Sequence, residues 1–251
     1  MSSDNTFPTP PWWRTNPARP TREPLAREPL SRQRIIDAAM TIVDTEGLDA
    51  LSMRRLGDEL GTTASALYAH VADKDNLIEL MFDHVLSEVP IPEVDPDDWQ
   101  KPLEQYCRDA LRVMLNHRDL ARVTLGRAPF GPNGLPAMEN LLALTRAGGL
   151  PDRVAAYAVD LLGSYIGATA IICDKYRQPE AGDDEPDRQD LSSQMRGYLE
   201  QLPPERFPIL VALAHPLTDA DGDARFELGL DIILRGLASY AEATAPRSDR
   251  R

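Results

Sequence analysis

Between Leu51 and Val71, small, polar and basic residues are spaced so that they could read nucleic acid. A glycine-containing turn at Gly61 joins two short apolar patterns, Ser52–Leu60 and Thr63–Val71, the arrangement of a helix-turn-helix. On a helical wheel Ala64, Leu67 and Val71 share an inward face and meet Leu56 and Leu60. Thr63, Ala66, Ala69 and His70 point outward, with Ser65 and Tyr68 at the edges. A face this small and polar suits close approach to a major groove. Alanine methyls can meet a thymine methyl, and hydroxyls can bond base edges or phosphates. Arg32, Arg34, Arg54, Arg55 and Lys74 flank the second pattern. Arg54 and Lys74 are expected on phosphates, and Arg55 as an ordinary surface cation.

Other chemistries lack their residues. His70, His84, His117 and His215 show no metal-ligand spacing. There is no nucleophile elbow, and the glycines from Gly126 to Gly134 enclose proline with no following Lys-Ser/Thr. His117 beside Asp119 could suggest acid–base work, but a histidine ending a helix reads better as a cap or surface residue. Cys107 and Cys173 lie in apolar patterns and are expected to be reduced thiols. The chain is therefore expected not to be an enzyme, and to need no metal and no cofactor.

The elements that would position these residues are all helical. Ile35, Ala39, Ile42 and Val43 recur at helical spacing up to Gly47, and Leu77, Leu80, Met81 and Val85 form a stripe on a fourth helix over 76–89. Prolines at 90, 92 and 96 end that helix and mark a domain boundary. Beyond it, helices are expected over 99–117, 136–147, 152–176, 191–202, 205–214 and 223–243. No alternating strand pattern is present, so the fold class is all-α. Residues 1–30 hold seven prolines and read as an extended arm. Residues 31–89 form the helix-turn-helix domain and 97–243 a larger helical domain. Residues 177–190, rich in acids, read as a mobile loop.

Over 251 residues the formal net charge is −13, which argues against coating nucleic acid through bulk charge. Residues 1–80 carry nine basic and twelve acidic side chains, so most of the excess lies elsewhere. No 18-residue uncharged run and no secretory signal are evident, so no membrane span and a cytoplasmic location are expected.

Ser31–Val89 resembles the DNA-binding domain of the TetR family, with Leu67-Tyr68-Ala69-His70-Val71 followed by Lys74 and Leu77 close to that family's signature. The resemblance implies phosphate contacts for Tyr68 and Lys74. The candidate DNA-binding set is Arg54, Thr62, Thr63, Ala64, Ser65, Ala66, Tyr68, His70 and Lys74. Asp98-Trp99-Gln100, His117-Arg118-Asp119, Met138-Glu139-Asn140, Phe226–Leu230 and Gly236-Leu237 are similar to the C-terminal domain of the tetracycline repressor subgroup. In that subgroup a histidine binds drug-chelated magnesium. The matching position here is Thr124, a nearby threonine is replaced by Arg127, and a drug-contacting glutamine by Leu142. A hydroxyl replaces imidazole poorly as a metal ligand, so tetracycline is not the expected effector. The resemblance places a pocket among the helices starting near 99, 136 and 152. Candidate lining residues are Leu103, Tyr106, Met114, Thr124, Arg127, Phe130, Met138, Leu142, Tyr165 and Thr169, suited to a small organic ligand.

Gly163 and Gly167 on one apolar helix, and Gly229 and Gly236 on another, suggest close helix packing. In the family these helices form a four-helix dimer interface. The expected function is a ligand-responsive repressor that binds a palindromic double-stranded DNA operator as a homodimer and is released by a small organic effector. The alternatives are an all-α small-molecule-binding protein or enzyme without a DNA role, and a protein–protein adaptor using the acidic loop.

Overall fold

The computed structural model describes residues 29–95, 98–117, 119–124, 127–177, 188–219 and 221–244, apart from side chains 123, 124, 174–177, 188, 189 and 242–244. The expected arm, bar Pro29 and Leu30, and most of the expected acidic loop lie outside the described residues. All regular structure among the described residues is helical.

The amino-terminal elements are α1 (Arg32–Glu46), a 3₁₀ turn (Leu48–Ala50), α2 (Met53–Leu60), α3 (Ala64–Leu67) and α4 (Lys74–Leu86). Each of these α-helices begins at a polar cap. Ser31, Ser52, Thr63 and Asp73 accept hydrogen bonds from the backbone N–H groups of Arg34, Arg55, Ala66 and Asn76, satisfying donors that a helix start leaves open. Gly47 ends α1 at φ 88° and Gly61 ends α2 at φ 62°, conformations that favour glycine. Ile35, Ala39, Val43, Leu56, Leu67, Val71, Leu77 and Met81 form the buried core of this part.

Next come α5 (Gln100–Asn116), α6 (Ala121–Thr124), α7 (Gly134–Ala147) and α8 (Asp152–Arg177), then α9 (Arg188–Glu200), α10 (Pro208–Ala212), α11 (Ala214–Leu217) and α12 (Gly222–Thr244). The expected fourth helix over 76–89 begins two residues earlier, where the Asp73 side chain caps it, and ends at Leu86. The helix expected over 205–214 is two short helices, α10 and α11, the second running on to Leu217. Of the described residues, those within 29–171 and 237–244 form one compact unit and those within 172–236 a second.

The proline segment 90–95 separates α4 from α5, yet the two sides are tied within the first unit. His117, just beyond α5, lies 3.2 Å from Asp44 Oδ2 through Nδ1 and 3.2 Å from Glu88 Oε1 through Nε2. Asp119, buried and at φ 58°, accepts a 3.0 Å hydrogen bond from the Leu48 amide. Asp83 of α4 accepts from the Asn133 amide at 3.1 Å, the Asn133 side chain at 2.9 Å and the Gly134 amide at 3.1 Å. It thereby caps the start of α7. These long-range bonds hold the amino-terminal helices to the segment 117–134 across the proline segment.

Candidate nucleic-acid interface

The turn between α2 and α3 is fixed by close backbone approach. A Cβ on Gly57 would lie 3.1 Å from the Thr62 carbonyl oxygen and 3.2 Å from the Ala64 nitrogen. A side chain there would push α3 away from α2. The Gly57 carbonyl oxygen also accepts a 2.8 Å bond from the Thr62 amide. Gly57 is thus a positioning residue that spacing arguments overlooked. Its signal was a glycine inside a helical pattern, which needs a packing reason.

The reading helix is shorter than expected. α3 ends at Leu67, and residues 68–70 continue as a tightened turn, with Ala69 bonded to Ala66 and His70 to Leu67 at i→i+3 spacing. Such tightening is common where a short helix ends. It changes the outward face. Thr63, Ser65 and Tyr68 are exposed, whereas Thr62, Ala64, Ala66, Ala69 and His70 are half-buried, and Leu67 and Val71 are fully inside. The edge residues Ser65 and Tyr68 therefore stand out more than Ala66, Ala69 and His70. Tyr68, with 43% of its surface exposed, is unusually open for an aromatic residue.

The cations separate into two groups. Arg55 donates to Glu46 (Nε to Oε2, 3.2 Å) and to Glu59 (Nη1 to Oε2, 2.8 Å). The bond to Glu46 first, then that to Glu59, pushes the guanidinium pKa further up, while Arg55 holds the Glu46 carboxyl below its usual range. Arg55 is thus occupied in tying α2 to α1. Arg32, Arg54 and Lys74 have no carboxylate partner among the described residues. Each sits in the first turn of its helix, and α1 and α2 have no acid in that turn. The macrodipole disfavours a cation there by about 0.3–1 kcal/mol. An anion held jointly by the cation and the open helix start reverses that sign.

The candidate ligand residues are dispersed in burial. Leu103 and Met114 are buried; Tyr106, Phe130, Met138, Leu142, Tyr165 and Thr169 are half-buried. The side chain of Thr124 lies outside the described residues. Arg127 is turned toward α4, 3.4 Å from Glu79 and 3.9 Å from Asp75. Burial pushes the Tyr106 phenol up to about 12 and the Cys107 thiol likewise up to about 12. Both stay protonated at neutral pH. Among the described residues no cluster of His, Cys, Asp and Glu could hold a metal ion.

Comparison with known proteins bears on the whole arrangement. Residues 35–81 match the family of bacterial regulatory proteins, tetR family, and residues 91–240 match the tetracyclin repressor-like C-terminal domain. The chain is 33% identical over 221 residues to the HTH-type transcriptional repressor DrrR1 of Streptomyces coeruleorubidus, covering 87% of this chain and 80% of that protein. It is 31% identical over 208 residues to the class A tetracycline repressor of transposon 1721 from Escherichia coli, covering 81% and 88%. Apo ActR of Streptomyces coelicolor superposes with a TM-score of 0.79 at 46% identity, covering 88% of this chain and all of that one. The same protein with actinorhodin bound superposes with a TM-score of 0.79 at 44% identity, again covering 88% of this chain and all of that one. With both family domains matched in order and the helix-turn-helix built as its residues require, the chain belongs to the TetR family of DNA-binding transcriptional regulators.

Proposed function

We propose that this chain is a repressor that binds a palindromic operator as a homodimer and releases it when a small organic effector enters its helical core. One observation supports the DNA contacts most directly. Arg32, Arg54 and Lys74, each without a carboxylate partner among the described residues, stand in the first turns of α1, α2 and α4, the helices of the same domain that exposes the hydroxyls of Thr63, Ser65 and Tyr68. In this reading Thr62, Thr63, Ala64, Ser65 and Ala66 approach the bases. Tyr68, His70, Arg54 and Lys74 hold phosphates and fix the register. Footprinting the upstream region of the chain's own gene tests it. Protection of a palindromic site that survives moderate salt is expected; binding that spreads over all sequences and vanishes with salt overturns it.

Two observations support the dimer. On α8, Tyr157, Leu161, Ser164, Ala168 and Ile172 are exposed at spacings of three and four, so they line one face. On α12, Leu228 and Ile232 are over 60% exposed, followed by exposed Gly236 and Tyr240. A Cβ added at Gly163 or Gly236 would meet open space, so neither glycine is explained by packing within one chain. Gly167, by contrast, is buried. A second copy would cover these stripes and place two reading helices on one operator. By length and composition α8 over Asp152–Cys173 could cross a membrane, contrary to the expectation from uncharged runs. Pairing with a second copy accounts for the same apolar surface, and the regulator would act in the cytoplasm, where its operator is.

Coupling would run through α4. Asp75, Glu79 and Asp83 recur every four residues and face the segment 127–134 through Arg127, Asn133 and Gly134. A shift of that segment on effector binding would pull α4 and change the spacing of the two DNA-binding domains. Moving the population from 99:1 to 1:99 requires about 5.5 kcal/mol of differential affinity. The effector would be organic, as ActR takes actinorhodin. Magnesium–tetracycline is excluded by this proposal because Thr124 occupies the histidine position. Tight, saturable calorimetric heats with that complex would contradict it.

A further inference from the structure

His117 stands where the two matched domains meet. It follows α5, inside the stretch 91–240, whereas Asp44 lies in the last turn of α1, inside 35–81, and Glu88 lies between the two stretches, just past α4. Both nitrogens of its ring are engaged. Nδ1 is 3.2 Å from Asp44 Oδ2, and Nε2 is 3.2 Å from Glu88 Oε1. Only 14% of the His117 side chain is exposed, so it is not the surface residue that its place at a helix end suggests.

An ionised carboxylate only accepts hydrogen bonds, and a neutral imidazole has one N–H and one lone pair. The neutral ring can therefore bond one of the two acids and must set its lone pair against the other. The doubly protonated ring donates to both, and such charge-assisted bonds are roughly twice as strong as neutral ones. The complete bridge from α1 through His117 to the end of α4 is thus a property of the charged ring.

The other charged groups described on the elements around it are engaged elsewhere. Asp119, two residues on, turns its carboxylate to the Leu48 amide at 3.0 Å and to Arg122 at 3.6 Å. His84, one turn before Glu88 on α4, acts on the Asp83 carboxylate. Histidine is the side chain whose charge ordinarily changes between about pH 5 and 8.

We propose that Asp44, His117 and Glu88 form a proton-operated latch between the DNA-binding helices and the larger helical domain. With the ring charged, α1 and the end of α4 are both held to the end of α5. When a proton leaves the ring for solvent, one of the two is let go. Because the effector is proposed to act by moving α4, proton uptake biases the same equilibrium between operator-binding and released arrangements. That consequence rests on the repressor reading; the latch itself does not.

The test uses the full chain with its histidine rings labelled with nitrogen-15. The His117 signals, identified by their loss in His117→Gln, should be those of a doubly protonated ring at about pH 6 and of a ring with a single N–H at about pH 8. The wild type should melt about 2–4 °C above His117→Gln at the lower pH, and at least half of that margin should be gone at the higher. Asp44→Asn and Glu88→Gln, which change only partly exposed side chains, should each remove part of the margin, and His84→Gln should leave it in place. The ratio of operator affinities of wild type and His117→Gln, read by fluorescence anisotropy, should change about threefold over the same range. A ring whose protonation does not change, or a melting margin equal at both ends of the range, overturns the latch. A latch that titrates while the operator ratio stays flat overturns its control of the operator. Absence of operator binding at every pH, beside a titrating latch, defeats the repressor reading and leaves the latch standing.

Discussion

Arg54 and Arg55 are chain neighbours in different surroundings. Arg55 is held by Glu46 and Glu59, and Arg54 is exposed without a carboxylate partner among the described residues. Arg54→Ala or Lys74→Ala should weaken operator binding several-fold and lower the salt slope by about one each. Melting should be unchanged. Arg55→Ala should instead lower the melting temperature and leave the salt slope alone. Salt-dependent fluorescence anisotropy and thermal melts separate the two outcomes. Gly57→Ala should cost about 1–3 kcal/mol in urea unfolding, because the atoms it meets are backbone and cannot swing aside. Asp83 carries a pH signature. Burial, the largest influence, pushes its carboxyl up despite three N–H donors. A raised folded-state value means its contribution to stability is full below the ordinary carboxylate range and is lost as pH rises through the raised value. Asp83→Asn should therefore gain stability relative to wild type as pH rises from about 4 to about 7; a difference constant over that range would contradict this.

Among the helices and turns, the caps and stops were legible and the tertiary ties were not. Ser31, Gly47, Ser52 and Gly61 bound α1 and α2 where the residues themselves demand it, since capping and left-handed turns are local chemistry. Gly148 closes α7 as expected. Asp73 caps α4 by the same local chemistry, which the apolar stripe over 76–89 leaves out, whereas the tightening of α3 after Leu67 depends on hydrogen-bond geometry that no pattern of hydrophobicity records. The ties of Asp83, His117, Asp119 and Arg127 join residues 29 to 73 positions apart in the chain, and such separations carry no local signal. They give α4 a testable role. Glu79→Gln with Arg127→Gln should leave operator affinity unchanged and weaken effector-driven release. Titrating release in anisotropy assays checks it, and an unaltered release curve would remove these residues from the coupling path.

For the whole molecule, the proposed dimer rests on the exposed apolar stripes of α8 and α12. Leu161→Glu together with Ile232→Glu should turn a dimer into a monomer, read by light scattering, with operator affinity falling by at least about a hundredfold. Two linked half-sites gain their affinity from effective concentration, which a monomer loses. A dimer persisting in that variant would place the interface elsewhere. The acid excess has a role for the whole chain too. A net charge of −13 opposes indiscriminate DNA binding, and in the proposed reading operator occupancy depends on the few placed cations and the fit of α3.

The order of the residues was enough for the all-helical class, the helix-turn-helix and the family, because periodicity, caps and a compact motif are properties of chain neighbours. Folding alone settles which hydroxyls of α3 stand exposed, that Arg127 turns to α4, and that Asn140 holds a buried oxygen without a partner. Those facts depend on which distant groups share a space. Burial and pairing are set by the folded neighbourhood, and a side chain's own place in the chain does not specify that neighbourhood.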